Sequence, residues 1–453
     1  LISLVSPNGS VVQVDTVYNA GNFVFEPAVS DLNNDGRRDI IATLNTGWIY
    51  FYTVGDSGGN LPQLRSPIKL PSFITGPPAI LGIGNKRYVF VGCDDQNIYE
   101  ISVDSGIVHK FYTAGQQFST PVILDDDSTV VIQSADGRLI FTDTSFSNVD
   151  TALFAPEVVP TRVLPAYVDI NRDSLREIIS VTSGGKVFII DPIRKLVKRE
   201  ANFDDSLITS IAVGDLNGDG YPEIVFGTYS RLYAFNHLGA LETGFPVELK
   251  GHKTQPVIAD ANGDGYGDVI VGVSGKGIFA FNWRGKLIKG FPLQVVDSLS
   301  QSMLLIPDGN GRNNLFYISN GGFLNGWKIG DTTGYWTQYG NDPSHSGWFN
   351  ASLNNTMQIS NTLNIERIYF YPNPTYNGVT TLRIKVTSQT DMKLEIYNFS
   401  GFKLKTFIFK DVDPTDYEER VLNLRDLPPG VYYVKVEFEP SGKSKILKLA
   451  IVR

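Results

Sequence analysis

The chain has 453 residues, 39 Lys and Arg against 47 Asp and Glu, and a single cysteine. One cysteine excludes a disulfide framework, a net charge of −8 argues against a nucleic-acid partner, and no run of 18 apolar residues marks a membrane span. With 44 Gly and 24 Pro for turns and 42% hydrophobic residues for a core, the length fits one large domain plus a smaller one.

In chain order, LISLVSPNGSVVQV at the start reads as an inner strand, a turn and an outer strand, which is half of a larger unit. It begins at Leu1 without Met or a signal-like segment, the mark of a removed leader or of a piece of something longer. An acidic loop between two apolar strands follows, DLNNDGRRDI from Asp31. Two units without the loop come next, PPAILGI…RYVFVGCDDQNIYEIS near residue 78 and TPVILDDDSTVVIQSADGRLIFTD near residue 120, where Asp125–Asp127 reads as a solvated turn. The loop then returns three times, as DINRDSLREI from Asp169, DLNGDGYPEI from Asp215 and DANGDGYGDV from Asp260, at intervals of 46 and 45 residues. A further 46 residues reaches Ile306, where IPDGNGRNNL keeps the outline but has lost the carboxylates at positions 1, 5 and 9. That copy reads as a repeat without its metal.

Around Asp215 the unit is complete: ITSIAVGD, the loop, EIVFGTY, RLYAFN and LETGFPVEL make four antiparallel strands separated by Gly and Asn turns. A period of roughly 40–50 residues built from such strands predicts the blades of a β-propeller. Seven units are counted, and the opening half-unit leaves eight open. Chain ends commonly share a blade so that no edge stays unpaired, so residues 1–15 are expected to pair with the last unit, near NGWKI and WTQYG. The predicted class is all-β: a propeller over 1–350, an Asn/Ser/Thr-rich linker over 351–365, and a small Ig-like β-sandwich over 366–453, where seven alternating strands follow one another. From Glu366 onward there are 14 Lys and Arg against 11 Asp and Glu, which leaves a net of about −11 on the preceding residues. The acidity is concentrated where the loops are, as bound cations require.

Each loop puts oxygen side chains at positions 1, 3, 5 and 9. Three carboxylates within nine residues repel one another unless a cation lies between them, and six to eight oxygens suit Ca²⁺. EF-hands are excluded, because they need flanking helices and a Glu at position 12, where this chain has Ala42, Ser180, Phe226 or Val271 between strands. Gly55–Gly59 (GDSGG) copies a serine-protease motif, but all four His come later in the chain and the stretch reads as a loop. Ser274–Gly277 and Ser183–Lys186 read as blade turns, lacking the spacing of a phosphate loop. Cys93 reads as a buried filler, Tyr233/Phe235 and Phe279/Phe281 as core packing, and His345 in the closing segment Asp342–Gly347 as a hydrogen-bonding corner.

The acidic loops resemble the FG-GAP or VCBS-type repeat of integrin-α-like propellers, with D-x-[DN]-x-D-G-x-x-[DE] matched four times and Ser174 in place of Gly once. The resemblance implies four ligand sets: Asp31, Asn33, Asp35 and Asp39; Asp169, Asn171, Asp173 and Glu177; Asp215, Asn217, Asp219 and Glu223; Asp260, Asn262, Asp264 and Asp268. It also implies backbone carbonyls from Arg37, Leu175, Tyr221 and Tyr266 at position 7, and a sharp turn at Gly36, Gly220 and Gly265 that strains Ser174, making the Asp169 site the weakest. Three to four structural Ca²⁺ ions are expected.

The tail resembles the C-terminal sorting domain of type IX secretion in Bacteroidetes and relatives, through Tyr371-Pro-Asn-Pro374, the IYNFSG turn at Gly401, LNLRDLPPGVYYVKV and the Lys-rich KSKILKLAIVR. Sandwiches similar to the Ig-like part of flagellar hook-cap proteins are the competing resemblance. The sorting resemblance implies export to the outer surface and engagement of the secretion machinery by 366–453. The functional expectation is a secreted or surface-held, monomeric, calcium-stabilised binding or adhesion module, not an enzyme, whose extracellular protein or glycan ligand sits on the rim formed by blade loops. The alternatives are a polysaccharide-lyase-like propeller, which needs a cluster of Arg, Lys, His or Tyr near one blade-end face, with Arg37, Arg38, His252 and Lys253 as candidates, and the C-terminal part of a larger secreted hydrolase.

Overall fold

A computed structural model describes the whole chain except residues 1, 6–10, 20, 56–58, 84–85, 113–121, 124–128, 135, 144, 155–162, 208, 296–298, 300–302, 308–312, 320–323, 330–333, 339–340, 343–344, 346–347, 350–364, 387–389, 413–417, 440–441 and 453. Every regular element among the described residues is a β-strand. The chain divides into two compact units, Leu1–Ala261 with Gly267–Asn355, and Thr356–Arg453 grouped with Asn262–Tyr266.

The first unit is a succession of antiparallel meanders. Ala28–Ser30, Asp39–Thr43, Trp48–Thr53 and Gln63–Lys69 make one; Ala79–Ile83, Lys86–Cys93, Asn97–Ser102 and Gly106–Tyr112 the next. Three more follow, starting at Val122, Ala166 and Ala212, then two of three strands starting at Val257 and Leu304. The middle strands are buried throughout: every residue of Glu177–Val181, Glu223–Gly227 and Asp268–Val273 is inaccessible. Both faces of these strands are covered, which is why they read as continuous apolar runs, whereas Asn313–Ile318 of the last meander alternates. The fourth strands are exposed, as Leu196–Asn202 shows.

Side chains of successive meanders pack into shared cores. Val131, Leu139 and Phe141 meet Tyr167, Ile178 and Phe188; Leu81, Phe90 and Ile98 meet Val130 and Ile132; Ile270 and Ile278 meet Leu305 and Leu315. Sheets stacked face to face in chain order are the arrangement of propeller blades. Tyr233 and Phe235 are buried and stack on Phe226. Cys93 lies in a core and burial pushes its thiol up to about 11, so it is inert filler. Ser183–Lys186 and Ser274–Gly277 fall at hairpin turns.

The chain ends behave differently from the expectation. The hairpin of Ile2–Val5 and Val11–Asp15 does not join the last meander; Gln13 and Val14 pair in parallel with Gly59 and Asn60, beside the first. Polar side chains fix this choice. Buried Gln13 accepts from the Gly55 amide through Oε1 (3.1 Å), and Asp15 Oδ2 accepts from the Tyr52 hydroxyl (2.9 Å). The stretch after the last meander instead covers the free edges of first strands: Trp336 pairs with Ile258, and Trp348 and Phe349 with Tyr167 and Val168. The amide of Leu305 donates to the Thr337 carbonyl at 2.9 Å, and His345, 2% exposed, places Nδ1 2.8 Å from the Pro78 carbonyl. The corner role expected of His345 is thus a tie across 267 residues. Within Gly55–Gly59, residues 56–58 lie outside the described residues, as do Asp125–Asp127, 308–312 of the Ile306 copy and most of the 351–365 linker.

The second unit is a sandwich of two sheets. One orders Ile365–Tyr371, Val379–Val386 and Glu418–Asn423; the other orders Lys403–Val412, Thr390–Tyr397, Gly430–Glu439 and Ser444–Ile451. Val379–Val386 alternates between buried and half-buried side chains, the period of a strand with one face on a core, here Leu382, Ile384, Leu394, Leu422, Val434 and Phe438. Asn373 of the YPNP segment clasps the last strand, Nδ2 donating to the Lys448 carbonyl (2.9 Å) and Oδ1 accepting from the Ala450 amide (3.0 Å).

Candidate metal centres

All four acidic loops join the first strand of a meander to its second, and all share the hydrogen bonds accepted at positions 3, 5 and 9. The position 9 acid opens the second strand, in register with the last residue of the first: Asp39 with Ser30, Glu177 with Val168, Glu223 with Gly214 and Asp268 with Ala259. Each is fully buried and accepts from the amide at position 2: Leu32 (2.9 Å), Ile170 (3.3 Å), Leu216 (2.7 Å) and Ala261 (2.8 Å). Those position 2 side chains are themselves buried and anchor the loop in the core. The sequence reading passed over them, although an apolar residue at position 2 of every copy was the signal.

The remaining oxygens turn the loop. Asp31 accepts from the amides of Asp35 (3.1 Å) and Gly36 (2.9 Å), Asp169 from Asp173 (3.1 Å) and Ser174 (3.0 Å), Asp215 from Gly218 (2.7 Å) and Gly220 (2.9 Å). Asn33, Asn171, Asn217 and Asn262 each accept from the amide at position 5, at 2.8–3.1 Å. Asp35, Asp173, Asp219 and Asp264 each accept from position 7, the amides of Arg37, Leu175, Tyr221 and Tyr266, at 2.8–2.9 Å. Position 6 is left-handed, with φ 85° at Gly36, 91° at Gly220 and 90° at Gly265, and Ser174 is forced to 69°. Position 4 is left-handed too: Gly218 and Gly263 take it freely, Asn34 and Arg172 at φ 59° and 57°. Gly267 donates its amide to the Leu216 carbonyl (3.2 Å), and a Cβ there would lie 2.7 Å from the Asp215 carbonyl, so this glycine lets neighbouring loops touch.

Among the described residues no three His, Cys, Asp or Glu side chains converge as a metal-holding group. The donor chemistry nevertheless fits a hard cation. The loops offer only oxygen, and Glu223 Oε1 is buried without a hydrogen-bond partner. Burial, with Asp215, Asp219 and Glu242 nearby, pushes Glu223 up to about 9; burial, then Asp219, also raises Asp215. Crowded buried carboxyls that resist ionising are relieved by a divalent ion. Asp39 is likewise raised by burial.

The Asp169 loop differs. Lys198 Nζ donates to Glu177 Oε1 at 2.6 Å and lies 3.6 Å from Asp173 Oδ2 and 4.0 Å from Asp191 Oδ2. Asn171 Nδ2 donates to Asp173 Oδ2 (3.1 Å), as Asn33 does to Asp35 and Asn262 to Asp264 (both 3.0 Å), and also to Glu177 Oε1 (3.3 Å).

The four basic residues named as lyase candidates do not share one end of their meanders. Arg37 and Arg38 lie in a loop at the C-terminal end of a first strand, whereas His252 and Lys253 precede Val257–Ala259, at the opposite end of their meander. Buried Lys253 spends its three N–H groups on the carbonyls of Thr228 (2.6 Å), Tyr229 (3.1 Å) and Gly251 (3.2 Å).

Residues 369–452 match the secretion system C-terminal sorting domain family. The tail is a type IX sorting domain. It directs the protein to secretion and attachment at the cell surface, and implies engagement of the type IX machinery. Residues 215–271, which hold the Asp215 and Asp260 loops, match the FG-GAP-like repeat. No curated protein matches the chain. Similar solved structures are BamB from Moraxella catarrhalis (18% identity, TM-score 0.48, covering 66% of this chain and 83% of that one) and BBS1N in complex with ARL6DN (13%, 0.49, 69% and 93%). Sqt1 of Saccharomyces cerevisiae gives 12% identity and a TM-score of 0.51 over 67% of this chain and 83% of its own. At 12% identity the likeness to Sqt1 speaks for the fold alone, a β-propeller.

Proposed function

We propose that the first unit is a seven-bladed, non-catalytic binding module for an extracellular protein or glycan, stabilised by calcium and displayed outside the cell through its sorting domain. The observation that carries the calcium reading is Glu223: a fully buried carboxylate oxygen without a partner, among like charges, in a loop whose turn is repeated elsewhere in the chain. Calcium would be held by Asp215, Asn217, Asp219, Glu223 and the Tyr221 carbonyl, and by the matching residues of the Asp31 and Asp260 loops. Bound there, it supplies charge neutralisation and nothing to a reaction. Export supports the assignment, because extracellular modules work with sites as weak as about 10⁻⁴–10⁻³ M. The separation of Arg37 and Arg38 from His252 and Lys253 supports a binding role over glycan cleavage.

Two measurements test this reading. Chelation should lower the melting temperature of the full chain and added calcium should restore it; equal melting in both conditions contradicts the calcium assignment. A glycan array run beside an ultraviolet lyase assay should show binding without turnover. Release of unsaturated products from any uronic-acid polymer contradicts the non-catalytic assignment.

A further inference from the structure

Glu177 and Glu223 are equivalent residues of adjacent meanders, yet only Glu223 Oε1 is left without a partner. The difference comes from the fourth strand. Leu196–Asn202 pairs with Lys186–Asp191 through Ile189 to Arg199 and Ile190 to Val197, so Lys198 is the extra residue of a β-bulge. A bulge breaks the alternation of faces and re-aims one side chain. Here it brings the Lys198 ammonium to the buried Glu177 carboxylate and to Asp173 beyond it.

We propose that the Lys198 ammonium is the resident cation of the Asp169 loop, so that this loop is held by an internal charge where its three counterparts take calcium. The second half of the statement rests on the calcium reading of those counterparts; the first half does not. Three further observations bear on it. Asn171 donates to the same Glu177 oxygen as Lys198, so that oxygen is already engaged by two N–H donors. A cavity of about 430 Å³ beside the loop is lined by Arg194, Lys198 and Arg199 together with Asn171 and Asp173, and these cations oppose entry of a divalent ion. Ser174 and Arg172 hold left-handed conformations that the Asp215 and Asp260 loops give to glycine, so the turn is kept without the residues that make it easy.

The test is the calcium content of the full chain after dialysis at millimolar calcium, read by elemental analysis for wild type, Lys198→Met and Lys198→Arg, with melting in chelator as a second readout. Wild type and Lys198→Arg are expected to hold three ions per chain and Lys198→Met four, because removing the ammonium frees Glu177 and Asp173. In chelator Lys198→Met should melt several degrees below Lys198→Arg. Four ions in the wild type, or equal counts in a folded Lys198→Met, overturn the inference while leaving the calcium reading intact. A wild type without calcium overturns that reading instead. The melting difference in chelator then decides the role of the ammonium: a lower Lys198→Met supports it and equal melting sinks it.

Discussion

The loops at Asp215 and Asp169 sit in neighbouring meanders, share most of their backbone hydrogen bonds, and place a glutamate at the same buried point of the second strand. They part company in how the negative charge is met. Around Asp215 the turn is relaxed, with Gly218 and Gly220 at its two left-handed positions, and the buried carboxylate keeps an unanswered oxygen. Around Asp169 the turn is strained at Arg172 and Ser174, and a lysine from the fourth strand answers the carboxylate. On the proposal made above, one repeat keeps its shape while its negative charge is met from within. The comparison also separates what a motif specifies, a turn, from what its surroundings specify, the groups that face its carboxylates.

The largest effect expected from this contrast is loss of calcium. Each site occupied at a hundred times its Kd contributes about 2.7 kcal/mol, so chelation should lower the melting temperature steeply. Asp219→Ala and Asp264→Ala should each remove part of the calcium-dependent gain, and Asp173→Ala none of it. Next comes Lys198→Met, which strands the fully buried Glu177. Breaking a buried pair costs roughly 3–5 kcal/mol, reduced here because the lysine side chain is 22% exposed, and measured as a lower urea midpoint in chelator.

A pH effect of opposite sign in the two metal states should follow. The folded, metal-free protein holds a proton on Glu223, at about 9, that the unfolded chain releases above its ordinary 4.5. Between those values the unfolded state binds fewer protons, so stability without calcium falls as pH rises. Calcium requires the ionised carboxylate, so its stabilising increment should grow over the same range. Thermal melts from pH 5 to 8, with and without chelator, give both slopes. Smallest is Ser174→Gly, which relieves a residue held at φ 69° and should stabilise by about 1 kcal/mol, equally with and without calcium.

Much of this was legible in the chain itself. The loops announced themselves because the hydrogen bonds that turn them are local, between residues two to seven apart, and their 46- and 45-residue spacing gave the meanders. The strained Ser174 was foreseen for the same reason. The chain closure was not, since the pairings of Val14 with Asn60 and of Trp336 with Ile258 leave no local pattern. Lys198 was hidden by a finer cause: in LVKREAN it reads as one more charge on an exposed strand, and only a single-residue register shift turns it inward.

Hydrogen exchange resolved along the full chain tests the contrast most directly. Adding chelator should speed exchange in peptides covering the Asp215 loop and Glu223–Gly227, and leave those covering the Asp169 loop and Glu177–Val181 unchanged. Equal acceleration of both, or no acceleration in either, would contradict the account.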